Sequence, residues 1–353
     1  MRKKILLTGG GTAGHVTPNL ALLNLLRKNS FEIHYAGTKK GIEHTLVKRA
    51  GIPYHSIKAG KLRRYFDLKN FTDIFNVALG LLQSILLMIR LRPNVVFSKG
   101  GFVSCPVVWA AWLFRVPAVI HESDISPGLA NKLSARFAKK ICFSFPETAR
   151  YIPSSKGVQT GLPVRENLLS GSARQGKEIC GFGEDKPVLL IIGGSQGSQF
   201  INSTIRSSLD ILLKDFFICH ICGKGALIEN PPKGYCQFEY VNEELSHIFA
   251  MADVVISRSG ATTLFELLEL KKPNLLVPLS TGASRGDQIL NAQSFQNQGY
   301  STVLLQENLT SESLISGVKE LFKNRETYIN AMEQSGTADS RQLVTEQILS
   351  IVK

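Results

Sequence analysis

The chain alternates short apolar runs, which have the composition of buried β-strands, with longer segments of amphipathic helical pattern. Strands that alternate with helices in this way predict a parallel sheet covered on both faces. In the first half of the chain, strands are predicted at Lys4–Leu7, Ile33–Ala36, Val95–Ser98, Ala118–His121 and Lys140–Phe143. In the second half, they are predicted at Val188–Ile192, Phe216–Ile221, Phe238–Val241, Val254–Ser257 and Asn274–Val277.

The two series of strands predict an α/β protein with two Rossmann-like, doubly wound domains that face each other across a cleft. A chain of 353 residues is long enough for two hydrophobic cores. The Pro- and Gly-bearing stretch 153–163 marks the expected boundary, so we expect domains at residues 1–160 and 161–335. The apolar period around 343–352 predicts a last helix, and we expect residues 336–353 to pack back on the first domain.

The segment Phe71–Leu91 has the pattern of a long amphipathic helix. We expect its main apolar face to belong to the domain core; that face carries Phe71, Ile74, Phe75, Ala78, Leu82, Ile85, Leu86 and Ile89. Leu87 and Leu91 fall on the polar side of the same segment. A basic cluster lies upstream, made of Lys58, Lys61, Arg63, Arg64 and Lys69. Apolar side chains beside basic ones predict peripheral binding to an anionic membrane through the first domain.

The charge of the chain is unevenly distributed. Residues 1–160 contain 24 Lys and Arg and 7 Asp and Glu, whereas residues 161–353 contain 17 and 21. The basic half predicts an anionic partner: nucleic acid, a membrane or a phosphorylated substrate. We expect no nucleic acid, because no segment has the basic and aromatic pattern of a recognition motif. No apolar run reaches the length of a membrane span or of a signal peptide, so we expect a protein of the cytoplasmic side.

Three turns of small residues each follow a predicted strand and precede a helix: Gly9–Gly14, Gly193–Gly197 and Arg258–Glu266. Backbone N–H groups at such helix starts bind phosphates. In the third turn, Glu266 lies where a carboxylate accepts hydrogen bonds from a ribose diol. A nicotinamide dehydrogenase is disfavoured, because residues 36–40 after the second strand carry no carboxylate.

No set of residues predicts a metal site. The pair Cys219 and Cys222 forms a CxxC motif without a second pair at zinc-site spacing, and we expect these thiols to be buried. No DxD-type motif stands in a fitting loop. We therefore expect neither a metal nor another cofactor, and free cysteines suit a reducing compartment.

A resemblance to a known family rests on seven motifs in a fixed order along nearly the whole chain. They are Gly9–His15, Gly100–Ser104, His121–Asp124, Gly128–Asn131, Gly193–Gly197, Ser257–Gly260 and Asp287–Gln288. Together they resemble the MurG family of bacterial N-acetylglucosaminyltransferases, within glycosyltransferase family 28. The resemblance implies a GT-B fold and a UDP-N-acetylglucosamine donor. It also implies lipid I, undecaprenyl-diphospho-N-acetylmuramyl-pentapeptide, as the acceptor that is converted to lipid II with inversion.

The resemblance also implies roles for individual residues. Thr12, Ala13 and Gly14 would line the donor sugar and the acceptor, while Arg165 and Ser195 would contact the donor. Val241 would hold uracil through its backbone, and Gln288 would hold the sugar. The diphosphate and ribose would be held by the third turn and its helix, residues Ala261, Thr262, Thr263, Leu264, Phe265 and Glu266. Further predicted contacts are Asp124, Asn131, Gln196, Ser259 and Gly260.

Two positions depart from the family pattern: Asp124 stands where the family often has Asn, and Phe102 where it often has an aromatic hydroxyl. An ionised Asp accepts hydrogen bonds but donates none. For the catalytic base our first prediction is His15, because it follows the glycine turn and an imidazole titrates near neutral pH. Asp124 and Glu122 are the next candidates.

Other functions remain open at this point. Within the same fold class, the chain could be a diacylglycerol glycosyltransferase or a UDP-N-acetylglucosamine 2-epimerase. From a different class, its basic half could make it a nucleic-acid-binding module. The expected partners are UDP-N-acetylglucosamine, undecaprenyl-linked lipid I, an anionic membrane surface on its cytoplasmic side, and other cell-wall synthesis proteins.

Overall fold

A computed structural model describes residues 2–60, 69–194, 197–282, 286–336 and 339–352, except the side chains of 69–72 and 74. The chain forms two compact units. The first comprises Met1–Arg165 with Thr337–Lys353, and the second comprises Glu166–Gly336.

The first unit is built on a parallel sheet of seven strands within its described residues. The strands are β1 (Lys4–Thr8), β2 (Glu32–Gly37), β3 (Tyr54–Ser56), β4 (Val95–Ser98), β5 (Ala118–Glu122), β6 (Lys140–Phe143) and β7 (Gly157–Gln159). Their order is β3-β2-β1-β4-β5-β6-β7. Ile5 and Leu7 of the central strand enter one core cluster, and Leu6 enters another on the opposite face. Burial on both faces explains why these strands read as continuous apolar runs.

Helices connect these strands. They are α1 (Thr17–Ala21), α2 (Leu23–Lys28), α3 (Ile42–Arg49), α4 (Lys69–Leu91), α5 (Ser104–Leu113) and α6 (Leu129–Ala135). A short 3₁₀ turn, Ala13–His15, precedes α1. The segment Val16–Lys28, which follows the first glycine turn, forms two short helices that meet at Leu22.

Helix α4 buries the opposite face from the one that the sequence predicts. Leu87 and Leu91 are buried, whereas Leu82 is 58% and Leu86 is 59% exposed, so the predicted core face was wrong. The reason is the small residue Gly80, where a Cβ would lie only 2.1 Å from the carbonyl oxygen of Lys58. A helix approaches its neighbours most closely through small residues. Three residues of the basic cluster, Lys61, Arg63 and Arg64, lie outside the described residues. The side chains of Lys69, Phe71 and Ile74 lie outside them as well.

The second unit repeats the architecture. Its described strands are β8 (Val188–Ile192), β9 (Phe217–Ile221), β10 (Tyr235–Phe238), β11 (Val254–Ser257), β12 (Asn274–Leu276) and β13 (Ser301–Val303), in the order β10-β9-β8-β11-β12-β13 and all parallel. Its helices are α7 (Ala173–Cys180), α8 (Gln199–Ser207), α9 (Leu209–Asp215), α10 (Leu245–Met251), α11 (Ala261–Glu269), α12 (Asp287–Asn297), α13 (Ser311–Lys323) and α14 (Arg325–Glu333).

The last helix, α15 (Ser340–Leu349), belongs to the first unit. Its Val344 and Ile348 are fully buried in the core cluster that contains Ile5 and Leu7 of β1. Burial of these two side chains ties the end of the chain to the first sheet.

Strand β10 was predicted wrongly at Phe238–Val241. In the structure Tyr235 is buried and Cys236 pairs with Cys219 of β9, while Tyr240 is 56% exposed. The aromatic run 238–241 therefore leaves the sheet after its first residue. Among the residues that the structure describes, no helix combines the length and the apolarity needed to cross a bilayer.

Candidate active site

In the first unit, polar residues gather where β1, β4 and β5 end. Strand β1 pairs with β2 on one side and β4 on the other, so the chain order of the strands reverses at this point. Ligands of α/β proteins bind beside such reversals, at the carboxyl ends of the strands. Gly9–Gly11 follows β1, Lys99–Gly101 follows β4, and Ser123–Asp124 follows β5. This edge is the candidate site of the first unit.

Two glycine turns touch each other at this edge. Gly11 has φ +89° and Gly101 has φ +81°, and a Cβ on Gly101 would lie 2.3 Å from the carbonyl oxygen of Gly10. Such close backbone contact admits only glycine. From below, the hydroxyl of Tyr35 donates to the carbonyl of Gly9 at 2.7 Å, which fixes the first turn on the sheet.

His15 closes the short 3₁₀ turn, with its ring half-buried. Its Nδ1 lies 3.1 Å from the carbonyl oxygen of Gly10 and 3.2 Å from Oγ1 of Thr12. A carbonyl oxygen only accepts, so this geometry assigns the proton of a neutral ring to Nδ1 and its lone pair to Nε2. The predicted contacts Thr12, Ala13 and Gly14 lie in the same turn as this imidazole.

Glu122 is buried and accepts four hydrogen bonds. Oε1 accepts from the backbone amides of Ser123 (2.9 Å) and Asp124 (3.0 Å), and Oε2 accepts from the amide of Gly128 (3.0 Å) and Nδ2 of Asn131 (2.8 Å). The carboxylate thus holds the loop between β5 and α6. Asp124 and Asn131 are brought together by this bonding, with Asp124 half-buried.

Lys99 is a buried cation at the same edge. Its side chain is 1% exposed, and its Nζ donates to Oγ of Ser123. Burial lowers the pKa of this ammonium to about 8, although the carboxylates of Glu122 and Asp124 act in the opposite direction. Burial, with the nearby Lys99 charge, also lowers the pKa of His121 well below its usual value, and Nε2 of that ring lies 2.8 Å from the carbonyl oxygen of Gly161.

The second unit has a corresponding edge, where β8 pairs with both β9 and β11. Gly193–Gly194 follows β8, and Arg258–Gly260 follows β11. A Cβ on Gly197 would lie 2.0 Å from the carbonyl oxygen of Cys222, so this turn also requires glycine. The predicted donor contacts Ser195 and Gln196 lie outside the described residues.

Arg258 fixes this edge from inside. Its Nη1 donates to the carbonyls of Val277 (3.0 Å) and Pro278 (3.1 Å), and its Nη2 donates to Oγ of Ser198 (2.7 Å). Ser198 caps the start of α8, where its hydroxyl accepts from the amide of Ile201. One guanidinium therefore links the ends of β11 and β12 to the helix that follows the glycine turn.

Helix α11 begins directly after Gly260 and carries six of the predicted donor contacts, Ala261 to Glu266. Glu266 is 7% exposed, and Thr262 and Thr263 are half-buried. Ser259 donates to the backbone carbonyl of Gln288 at 2.8 Å, which joins this turn to the start of α12. The side chains of Ala261, Leu264, Phe265 and Val241 are buried.

Sequence reasoning missed three buried charged residues that organise these edges: Glu43, Lys99 and Arg258. Lys99 had a usable signal, since it stands between a mostly apolar strand and a Gly-Gly pair. Arg165 is half-buried at the end of the first unit. Among the described side chains, no three His, Cys, Asp or Glu are grouped as metal ligands.

Two family models match the chain. The glycosyltransferase family 28 N-terminal domain matches residues 5–143, and the glycosyltransferase family 28 C-terminal domain matches residues 188–347. Each match covers one of the two parallel sheets almost completely. The fold is that of the GT-B glycosyltransferases.

Relatives agree with these matches. The chain is 55% identical over 353 residues to a UDP-N-acetylglucosamine–N-acetylmuramyl-(pentapeptide) pyrophosphoryl-undecaprenol N-acetylglucosamine transferase of Clostridium kluyveri, covering 99% of both chains. It is 55% identical over 338 residues to the enzyme of that name from Clostridium tetani, covering 95% of this chain and 94% of the relative. The crystal structure of Acinetobacter baumannii MurG superposes with a TM-score of 0.76 at 27% identity, covering 99% of each chain. The chain therefore belongs to glycosyltransferase family 28 and, within it, to the MurG family.

Proposed function

We propose that this enzyme transfers N-acetylglucosamine from UDP-N-acetylglucosamine to the C4 hydroxyl of the muramyl sugar of lipid I, forming lipid II for peptidoglycan synthesis. The observation that carries this proposal is the 55% identity, over nearly the whole chain, to transferases named for that reaction. The acceptor is assigned to the first unit and the donor to the second.

His15 is the proposed general base. The C4 oxygen attacks C1 of the donor sugar while its proton passes to Nε2, and the bond from C1 to the diphosphate oxygen breaks so that UDP leaves with the electron pair. The contact of Nδ1 with the carbonyl of Gly10 supports this role, because it leaves the lone pair on Nε2. Attack from the side opposite UDP inverts the configuration at C1.

Glu122 is better suited to positioning than to proton transfer. Its two oxygens already accept four hydrogen bonds, so proton uptake would cost the bonds that hold the loop. Through that loop, Glu122 orients Asp124 and Asn131 toward the acceptor. Asp124 stays the second candidate for the base.

Donor binding is proposed at the α8 and α11 edge. The amides that open α11 would hold the diphosphate, and Glu266 would accept from the ribose hydroxyls. Gln288 would contact the sugar, and the backbone of Val241 would contact uracil. Arg165, Ser195 and Gln196 remain predicted donor contacts. No step requires a metal or another cofactor in this proposal.

Membrane docking is proposed through α4, on the cytoplasmic side of the membrane. Phe75 is 75% exposed, and Leu82, Leu86 and Ile89 extend the same apolar strip along the helix. Trp112, on the neighbouring α5, is also exposed. An exposed apolar strip on a basic domain fits an anionic lipid surface better than it fits open solvent. Other cell-wall synthesis proteins remain expected partners.

Substrate choice tests the proposal. Release of UDP is followed with UDP-N-acetylglucosamine and either a short-chain lipid I analogue or diacylglycerol, and a sample without acceptor is examined for epimerisation of the donor. We expect UDP release with the lipid I analogue alone. Turnover with diacylglycerol, or formation of UDP-N-acetylmannosamine without acceptor, would instead identify one of the two alternative enzymes.

A further inference from the structure

A buried carboxylate accepts a hydrogen bond from the first glycine turn, Gly9–Gly14, whose backbone amides the sequence predicts to bind a phosphate. Glu43, in the first turn of α3, is fully buried. Its Oε1 accepts from the amide (3.0 Å) and the hydroxyl (2.5 Å) of Thr38, and its Oε2 accepts from the amide of Gly11 at 3.2 Å. All three partners donate, which is the bonding of an ionised carboxylate.

Three glycines leave room for this carboxylate. A Cβ on Gly10 would lie 2.6 Å from the carboxyl carbon of Glu43, one on Gly41 would lie 2.2 Å from Oε2, and one on Gly37 would lie 2.9 Å from Cγ. A larger residue at Gly10 or Gly41 would displace the carboxylate, and one at Gly37 would also meet the hydroxyl of Tyr54 at 2.3 Å. The chain thus encloses Glu43 by segments that follow β1, end β2 and begin α3.

The contact reaches His15 through a single peptide group. The amide N–H that donates to Glu43 belongs to Gly11, and the carbonyl that faces Nδ1 of His15 at 3.1 Å belongs to Gly10. These two atoms are the two ends of the Gly10–Gly11 peptide. A carboxylate, a peptide and an imidazole therefore form one hydrogen-bonded series, in which each bond strengthens the next.

We propose that Glu43 is a positioning residue for His15, acting through the Gly10–Gly11 peptide. This inference rests on the proposed role of His15 as general base. Glu43 fixes the orientation of the peptide, so that its carbonyl holds Nδ1–H and the lone pair of the neutral ring is on Nε2. Its negative charge also polarises the peptide and stabilises the imidazolium that forms when Nε2 takes the acceptor proton.

Other ionisable groups surround the same turn and must be separated from this effect. Tyr35 of β2 donates to the carbonyl of Gly9, and burial raises the pKa of its phenol above the working range. Tyr54 of β3 donates to the carbonyl of Thr38, and burial likewise raises its pKa. Lys99 follows β4, and its Cβ lies next to Gly9. Of these groups, only Lys99 changes charge near pH 8.

The decisive substitution is Glu43→Gln, which keeps the shape and removes the charge. Its matched control is Glu32→Gln, the same change on an exposed side chain of β2. With ¹⁵N-labelled histidine, NMR titration follows the His15 ring directly, without any turnover. We expect the pKa of His15 to fall by about half a unit or more in Glu43→Gln. It should stay at the wild-type value in Glu32→Gln.

Kinetics supply the second readout. We expect kcat with the lipid I analogue to fall about tenfold in Glu43→Gln, the lower range for losing a partner that orients a functional histidine. The KM for the donor should change less than about twofold. In a His15→Ala background, Glu43→Gln should cause no further loss, because the two residues act as a unit.

If Glu43→Gln fails to fold, Glu43→Asp is the second variant. It keeps the negative charge but moves the carboxylate away from the amide of Gly11, and the same losses are expected.

The outcomes separate the two proposals. If the His15 titration is unchanged in a folded Glu43→Gln variant, or if its kinetic loss persists undiminished in the His15→Ala background, the role of Glu43 is wrong. If the titration shifts but His15→Ala retains near-normal turnover, Glu43 does orient His15 and His15 is not the base. The NMR result does not depend on the identity of the acceptor.

Discussion

The guanidinium of Arg258 donates to the hydroxyl of Ser198 at 2.7 Å, and this same hydroxyl caps helix α8. A residue at the end of one strand thereby orients the helix that follows the glycine turn of another. Both residues are buried, so the bond is shielded from water. The relationship gives the edge of the second unit where donor binding is proposed an internal support.

Removing that support should affect both stability and donor binding. We expect Ser198→Ala to lower the free energy of unfolding by about 1 kcal/mol, as loss of a helix cap does, and to raise the KM for UDP-N-acetylglucosamine. Urea denaturation and UDP-release kinetics measure the two effects. Ser203→Ala, inside the same helix and exposed, is the matched control. An unchanged KM in a destabilised Ser198→Ala variant would mean that the cap serves the fold alone.

Lys99 predicts a pH dependence of stability. Its pKa is lowered from 10.5 to about 8 in the folded protein by burial, so between these values the unfolded chain binds a proton that the folded chain does not. The free energy of unfolding of wild type, relative to Lys99→Met, should therefore rise from pH 8 to pH 10.5 by about 3 kcal/mol. Paired urea denaturation across this range measures the difference. A difference that is constant with pH would contradict a buried, titrating Lys99.

Glu266 should recognise the ribose of the donor. We expect Glu266→Ala to raise the KM for UDP-N-acetylglucosamine about tenfold or more, since a hydrogen bond to a carboxylate contributes about 1.5–3 kcal/mol. The sharper test is a donor that lacks the ribose 2′-hydroxyl. Wild type should discriminate against this analogue, whereas Glu266→Ala should accept both donors equally poorly. Equal discrimination by both proteins would place Glu266 away from the 2′-hydroxyl.

The exposed strip of α4 should hold the protein on anionic vesicles. Replacing Leu82 and Leu86 by Ser should weaken sedimentation with anionic lipid about tenfold or more, because each exposed Leu gains about 1.5–3 kcal/mol on full burial. Leu227→Ser, at an equally exposed site of the second unit, should bind like wild type. Binding that ignores lipid charge, salt and both substitutions would contradict this membrane role.

The sequence predicted the sheets well because burial on both faces leaves a plain signal. The bounds of β4, β6, β8 and β11 agree with the apolar runs. The three strands that were missed, β3, β7 and β13, are three-residue edge strands with polar or small residues, and such segments have no apolar period to detect. The buried face of α4 was predicted wrongly for a related reason. Hydrophobicity alone does not reveal that the face carrying Gly80 packs against the backbone of Lys58.

The sequence predicted residues of the candidate site only where they belong to a recognisable motif. The glycine turns and His15 follow strands directly, so their place at the sheet edge is fixed by local order along the chain. Glu43 is different, because it reaches Gly11 from 32 positions away and nothing in its own helix distinguishes it from a solvated carboxylate. Arg258 likewise gains its partners from Val277, which follows β12, and from Ser198, which precedes α8, and only the fold brings these residues together.

The structure of the reaction product shows which acceptor hydroxyl is glycosylated and which anomer is formed. Purified protein is incubated with UDP-N-acetylglucosamine and a short-chain lipid I analogue, and the product is isolated and examined by mass spectrometry and NMR. We expect one added N-acetylglucosamine, β-linked to C4 of the muramyl sugar, with no added metal required. An α-linkage, a different attachment point, or an unmodified acceptor alongside consumed donor would contradict it.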